Sequence, residues 1–197
     1  MADLKFSQPA PRNLAAPILI AIAVLGIAAV LVFTLTPRTT ADVTVKKTAV
    51  YAAHTVFKSE STIVGRDTSQ DDLYVLVDLN IDNRLHLPLF LKDFTATLTP
   101  SNPDGTPAED ISATAVEKLD VPNLYTSFPA LKTLADQQAA PLLLRETQID
   151  PGKSAEGLVL LHLPTTQANW DARKSATLSI ALYHQQPLTI DIPKIKP

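Results

Sequence analysis

Residues 14–35 read LAAPILIAIAVLGIAAVLVFTL, twenty-two positions without a charge, and no other feature restricts the chain so sharply. A helix of that length is roughly 33 Å long at a rise of about 1.5 Å per residue, enough to cross the hydrocarbon core of a bilayer. Pro17 falls in the first turn, where its missing N–H breaks no internal bond, and Pro37 follows where a helix would stop. The apolar core of a cleaved leader is shorter, about 7–15 residues, and Thr39-Thr40-Ala41 makes a poor cleavage site. The sequence therefore predicts an uncleaved signal anchor, a single transmembrane helix over residues 14–36. Lys5 and Arg12 precede it, and Arg38, Lys46 and Lys47 follow it, so the basic residues alone do not orient it. A short tail at residues 1–13 is the usual cytoplasmic end of such an anchor, and long C-terminal domains cross largely regardless of charge. The expectation is a single-pass protein of the inner (cell) membrane with its C-terminal domain extracytoplasmic, in the periplasm. A linker at 37–41 keeps the body, residues 42–197, close to the membrane surface.

The body carries strand signals. In LYVLVDLNID, Leu73, Val75, Val77, Leu79 and Ile81 fall on one face, and Tyr74, Leu76, Asp78, Asn80 and Asp82 on the other. That alternation predicts a strand with one core face and one mostly wet face. ATLSIALYH and LTIDI, separated by Gln185-Gln186-Pro187, read as a hairpin. DVTVKKTAVY and LFLKDFTATL alternate with one break each, which suggests bulges or edges. Asp150-Pro151-Gly152-Lys153 is turn chemistry, and the strand after it is apolar on both faces, Val159, Leu161 and Leu163 against Leu158, Leu160 and His162. It reads as a central strand with extra cover. PALKTLADQQAA places Leu131, Leu134, Ala135 and Ala139 at helical spacing between Pro129 and Pro141, so one helix of about ten residues is inserted. The fold class predicted is mainly β, an immunoglobulin-like antiparallel β-sandwich with one short inserted helix behind the transmembrane anchor.

The strand YVLVDLNIDN over residues 74–83, the Asp104-Gly105 turn and the later Pro151, Gly152, Glu156, Gly157 and Pro164 resemble the bacterial membrane-anchored immunoglobulin-like, or telokin-like, domain family of unknown function. The resemblance covers about residues 42–193. It implies the sandwich fold and supplies no catalytic residue. Two departures stand out: many members are lipoproteins, for which this cysteine-free chain has no attachment site, and the 119–144 insertion is longer than in the family pattern.

Without cysteine, disulfides, thiolate nucleophiles and Cys-ligated metals are excluded. Beyond Ala41 there are 14 Lys and Arg against 19 Asp and Glu, a charge of −5 with the signs interspersed. This is no footprint for nucleic acid, which needs a clustered basic face. Asp78, Asn80 and Asp82 copy the start of a calcium loop, but Asn83 stands where its glycine belongs and Leu89 where its bidentate glutamate belongs. DTSQDD, Asp67 to Asp72, reads as a solvated turn. If the strands ending at Leu163 and His184 paired, His162 and His184 would lie roughly 20 Å apart, and His54 and His86 have no fixed partner. No metal site is expected, and no nucleophile elbow, phosphate loop or HExxH helix is present. No catalytic residue and no cofactor follow from these residues.

What is left is a surface. Tyr125, Phe128 and Leu131 form the densest apolar cluster outside the strands, and Trp170 is the lone tryptophan. These four are the candidate contact residues, against the simpler reading of ordinary core. The functional expectation is a non-enzymatic module mediating protein interaction in the cell envelope, with the membrane and an envelope protein as partners. The alternative is a small-ligand or solute-binding domain with residues 119–144 as a lid.

Overall fold

The computed structural model describes residues 15–35, 39–57, 68–101 and 109–194. The chain divides into two compact units, one ending at Arg38 and one starting at Thr39. The first contains helix α1, Ala15–Leu35, whose described side chains, residues 17–32, are all exposed. Those positions span about 24 Å at the α-helical rise, and among the described residues no helix is long and apolar enough to cross a membrane. The expected tail 1–13, residues 37 and 38 of the linker, Asp67 and the Asp104-Gly105 turn lie outside the described residues.

The second unit is mainly β. It contains strands β1 (Ala41–Phe57), β2 (Thr68–Asn83), β3 (Leu89–Thr99) and β4 (Ile111–Ala115), then helices α2 (Val121–Ser127) and α3 (Pro129–Gln138), strands β5 (Gln148–Ile149) and β6 (Ser154–Leu163), helix α4 (Gln167–Ala172), and strands β7 (Ser175–Leu182) and β8 (Leu188–Asp191). The strands form one antiparallel sheet in the order β1-β2-β6-β4-β3-β7-β8, with β5 added to β3. Hydrogen bonding thus runs unbroken through strands expected to divide between two sheets. The sheet curls around one core, in which Val75, Val77 and Leu79 of β2 and Val159 and Leu161 of β6 join Leu91, Phe94 and Leu98 of β3 and Leu178 and Ile180 of β7. Burying each such side chain contributes about 1.5–3 kcal/mol.

The join between the two halves of the curl is narrow. β4 meets β6 only at Thr114↔His162 and Ala115↔Leu161, extended by Val116 N–H donating to Leu160 O at 2.8 Å. Beyond it the chain following α3 takes over the edge of β6: Leu158 N–H donates to Pro141 O at 2.7 Å and Leu143 N–H to Leu158 O at 2.8 Å. Gly157 permits this approach, because a Cβ there would stand 2.7 Å from Pro141 O.

The predicted hairpin is β7–β8, and the two breaks in alternation are register shifts between Val45 and Lys47 and between Leu91 and Asp93. The inserted helix appears as α3 with Leu131 and Ala135 buried, but α2 and α4 accompany it. Val121–Ser127 is too short for apolar periodicity to show, and Pro122 at its start reads equally as a loop. One expectation needs correction. The second face of β2 is not wet: Tyr74, Leu76 and Asp78 are buried, because α2 and α3 lie over that half of the sheet and form a second apolar cluster with it. The pairing considered for the strands of His162 and His184 does not form; β6 lies between β2 and β4, and β7 between β3 and β8.

Candidate functional site

The outer face of β1, β2 and β6 carries a row of side chains set by strand register: Tyr51 opposite Tyr74, Tyr74 opposite His162, and His162 opposite Thr114. The Tyr74 and His162 rings stack with centroids 5.1 Å apart. Phe128, at the junction of α2 and α3, closes on both tyrosines, 5.6 Å from Tyr74 and 6.0 Å from Tyr51. Such offset and tilted aromatic contacts add to simple burial. Burial first, then the Asp72 carboxylate and Tyr51, raise the pKa of Tyr74, so its phenol holds its proton.

His162 is fixed from behind. Its Nε2 lies 2.7 Å from Oδ1 of Asp72, a residue only 8% exposed, and Gln70 Nε2 donates to the same oxygen at 2.9 Å. A carboxylate bound to one ring nitrogen sets the orientation of the imidazole and, in its neutral form, leaves the other nitrogen as an acceptor. Beside this pair opens a cleft of about 550 Å³ lined by Tyr74, His162, Thr114, Glu117, Asn123, Ser127 and Arg145, among others. Arg145 bridges Asp93 at 2.9 Å and Glu117 at 3.1 Å.

α2 stands as a ridge between this cleft and a second groove. Asp120, Asn123, Leu124 and Ser127 line the cleft, while Val121, Pro122, Tyr125 and Thr126, with Lys132 of α3, line an open groove of about 460 Å³. The two sets alternate as a 3.6-residue repeat requires. Tyr125 is half-buried, and burial, then the Asp136 carboxylate, raise its pKa while Lys132 opposes.

The four residues singled out from the sequence separate. Tyr125 and Phe128 are half-buried at the α2–α3 surface. Leu131 is fully buried and Trp170 is 3% exposed, so both face the interior. Trp170 sits in α4 beneath the Arg173 guanidinium, whose carbon is 3.9 Å from the ring centroid. Arg173 also donates to Trp170 O at 2.8 Å and to Pro193 O at 2.9 Å.

Of the other histidines, His54 pairs with Asp71 at 2.7 Å on an exposed surface, and His86 and His184 are exposed. Among the described residues no group of three or more histidines or carboxylates is placed to hold a metal. Asp78, Asn80 and Asp82 lie on β2, with Asn80 Nδ2 donating to Asp82 Oδ1 at 3.0 Å.

Sequence reasoning missed Asp72, Tyr74, Glu117, Asp120 and Arg145 as neighbours of His162. One signal was present: Tyr74 and Leu76 on one strand, and Leu158, Leu160 and His162 on another, are bulky side chains on faces that would otherwise meet water, which implies cover.

Comparison with known proteins adds little to this geometry. No family model matches the chain, and no curated protein matches it. Among solved structures a similar chain is described as "X-ray structure of Northeast Structural Genomics Consortium target SoR45"; it is 9% identical, with 74% of this chain and 82% of that chain covered and a TM-score of 0.29.

Proposed function

We propose that this protein is a non-enzymatic interaction module of the cell envelope. Residues 14–36 anchor it in the inner membrane, and the β unit stands on the extracytoplasmic side and binds a protein partner through the α2–α3 surface. In this reading the curled sheet is an immunoglobulin-like sandwich of the telokin-like kind, with β1-β2-β6 and β4-β3-β7-β8 as its two layers and the β4–β6 join as the crossover. The observation that carries the binding role is the setting of Tyr125 and Phe128: Tyr125 is half-buried and lines an open groove, and Phe128 is half-buried against Tyr51 and Tyr74 where α2 meets α3, a helix held to the sheet by buried Leu131 and Ala135. Rigid aromatics on a supported surface give contact area at low entropic cost. The anchor is supported by twenty-two uncharged residues.

The test is a photoreactive residue at position 125 in the native membrane. Reproducible adducts to one envelope protein, lost on Phe128→Asp or Tyr125→Asp with the circular dichroism spectrum retained, are the expected outcome. Failure to capture any protein would overturn the reading. A small-ligand reading with the 119–144 insertion as lid has one observation in its favour, a cleft of about 500 Å³ lined by Phe94 and Leu143 between residues 115–119 and 143–146. Co-purification of a small molecule, lost on Leu143→Trp, would support it.

A further inference from the structure

We propose that the free edge of β1 binds an extended acidic segment of a partner protein, which adds to the sheet as one more strand and seats a carboxylate beside Lys47 and Lys194. β1 stands at one end of the sheet order and pairs with β2 alone among the described residues. Arg84 N–H donates to Thr40 O at 3.2 Å, which fixes the phase of that ladder: Asp42 and Thr44 bond to β2, while Val43 and Val45 turn their N–H and C=O toward the free edge. Among the described residues no backbone hydrogen bond is made on that side. Val43 and Val45 are half-buried and pack against the core, so alternate apolar side chains of an added strand would extend it.

At the bulge this edge opens into a cleft of about 360 Å³ lined by Lys46, Lys47, Thr48, Gln138, Pro193 and Lys194, among others. Its chemistry selects the occupant. Among the described residues the lysine ion pairs are Lys46–Glu156 and Lys132–Asp136, which leaves Lys47 and Lys194 unpaired. Asp78 stands opposite Lys47 in register, yet its buried Oδ1 has no hydrogen-bond partner. Thr48 Oγ1 is buried and also lacks a partner, an uncommon state for a hydroxyl. A carboxylate entering the cleft would accept from both ammonium groups and from this hydroxyl; a basic side chain would be repelled, and a neutral one would leave the lysines unmatched. Lysines on a sheet edge discourage pairing with another edge of like charge. A second copy of β1 would bring its own Lys46 and Lys47 to the contact, whereas an acidic strand is matched to it. The inference does not rest on Tyr125 or Phe128.

The test uses the full-length protein and a short acetylated peptide in which valine alternates with threonine and glutamate, with glutamine and lysine versions as neutral and basic controls. Fluorescence anisotropy reads the affinity, and amide hydrogen exchange reads the mode of docking. The glutamate peptide is expected to bind saturably and about tenfold or more tighter than the glutamine version, the size of one charge-assisted contact. It should also slow exchange at Val43 and Val45, as strand pairing requires. Lys47→Glu/Lys194→Glu should reverse the preference in favour of the lysine peptide. Both lysines are exposed, so the fold is expected to survive. Val43→Pro removes an N–H turned to the partner and none that bonds β2; it should abolish binding with the circular dichroism spectrum retained. If Val43→Pro loses that spectrum, the charge reversal decides. No saturable binding of the glutamate peptide, equal affinity for all three peptides, a preference unchanged by the charge reversal, or binding without slower exchange at Val43 and Val45 would overturn the proposal.

Discussion

A buried charge has to be answered locally, and two residues answer in opposite ways. Arg173 is 2% exposed and spends its guanidinium on two carbonyls and the Trp170 ring. Arg173→Ala would remove the bond to Pro193 O, leave Trp170 O with only the backbone N–H of residue 173 and open a void beside Trp170, costing about 2–4 kcal/mol. Arg173→Lys, which cannot fork, should cost less but still lower the midpoint; urea denaturation measures both. Asp78 is 4% exposed, and its Oδ1 has no hydrogen-bond partner among the described residues. Burial, then Glu156, raise its pKa above the ordinary 3.8, with Lys46 and Lys47 opposing. The folded chain therefore holds this proton more tightly than the unfolded chain. The stability this proton contributes is fully present below the ordinary value and is lost as pH rises through the raised one. Asp78→Asn should flatten that slope, read as denaturation midpoints from about pH 4 to pH 7.

Among the elements, β6, like β2, is paired on both edges and covered on both faces. Gly157→Val would drive a side chain into Pro141 O and Leu143, because a Cβ at position 157 would stand only 3.0 Å from the Leu143 Cβ. The change should destabilise by about 1–3 kcal/mol or displace the post-α3 segment. Loss of protection of the Leu143 and Leu158 amides in hydrogen exchange would report the displacement. At the end of α3, Ala139 caps the helix at φ 57°, a left-handed conformation that glycine adopts without strain. Ala139→Gly should raise stability by about 0.5–1 kcal/mol, seen as an increase in Tm. Elements with a clear local period were legible in the sequence: β2, β6, the β7–β8 hairpin, α3, and the bulges near Lys46 and Lys92. Pairing was not, because which strands neighbour β6 depends on contacts far apart in the chain. His162 and Asp72 are 90 positions apart, and no local pattern announces them as a pair. What covers Tyr74 and Leu76 was hidden for the same reason, since the cover comes from α2 and α3 on a distant segment.

For the whole molecule, residues 39–197 expressed alone should fold cooperatively with a far-UV spectrum dominated by β structure, as the division at Arg38 and the continuous sheet imply. A helix-dominated spectrum or a gradual melt would count against this. The sheet also has a mechanical grain. The chain enters it from the N-terminal side at Ala41, the first residue of β1, and β1 is held by β2 along a ladder from Ala41↔Asn83 past Tyr51↔Tyr74 to Phe57↔Thr68. A domain tethered at that end and gripped at the α2–α3 surface, which lies over Tyr51 and Tyr74, would take tension along the strand axis. The rungs between Ala41 and Tyr51 would then be loaded in shear and would have to give way together, while a pull across the narrow β4–β6 join would meet its two rungs in turn. The direction of a load, more than its size, would decide whether this domain holds or opens.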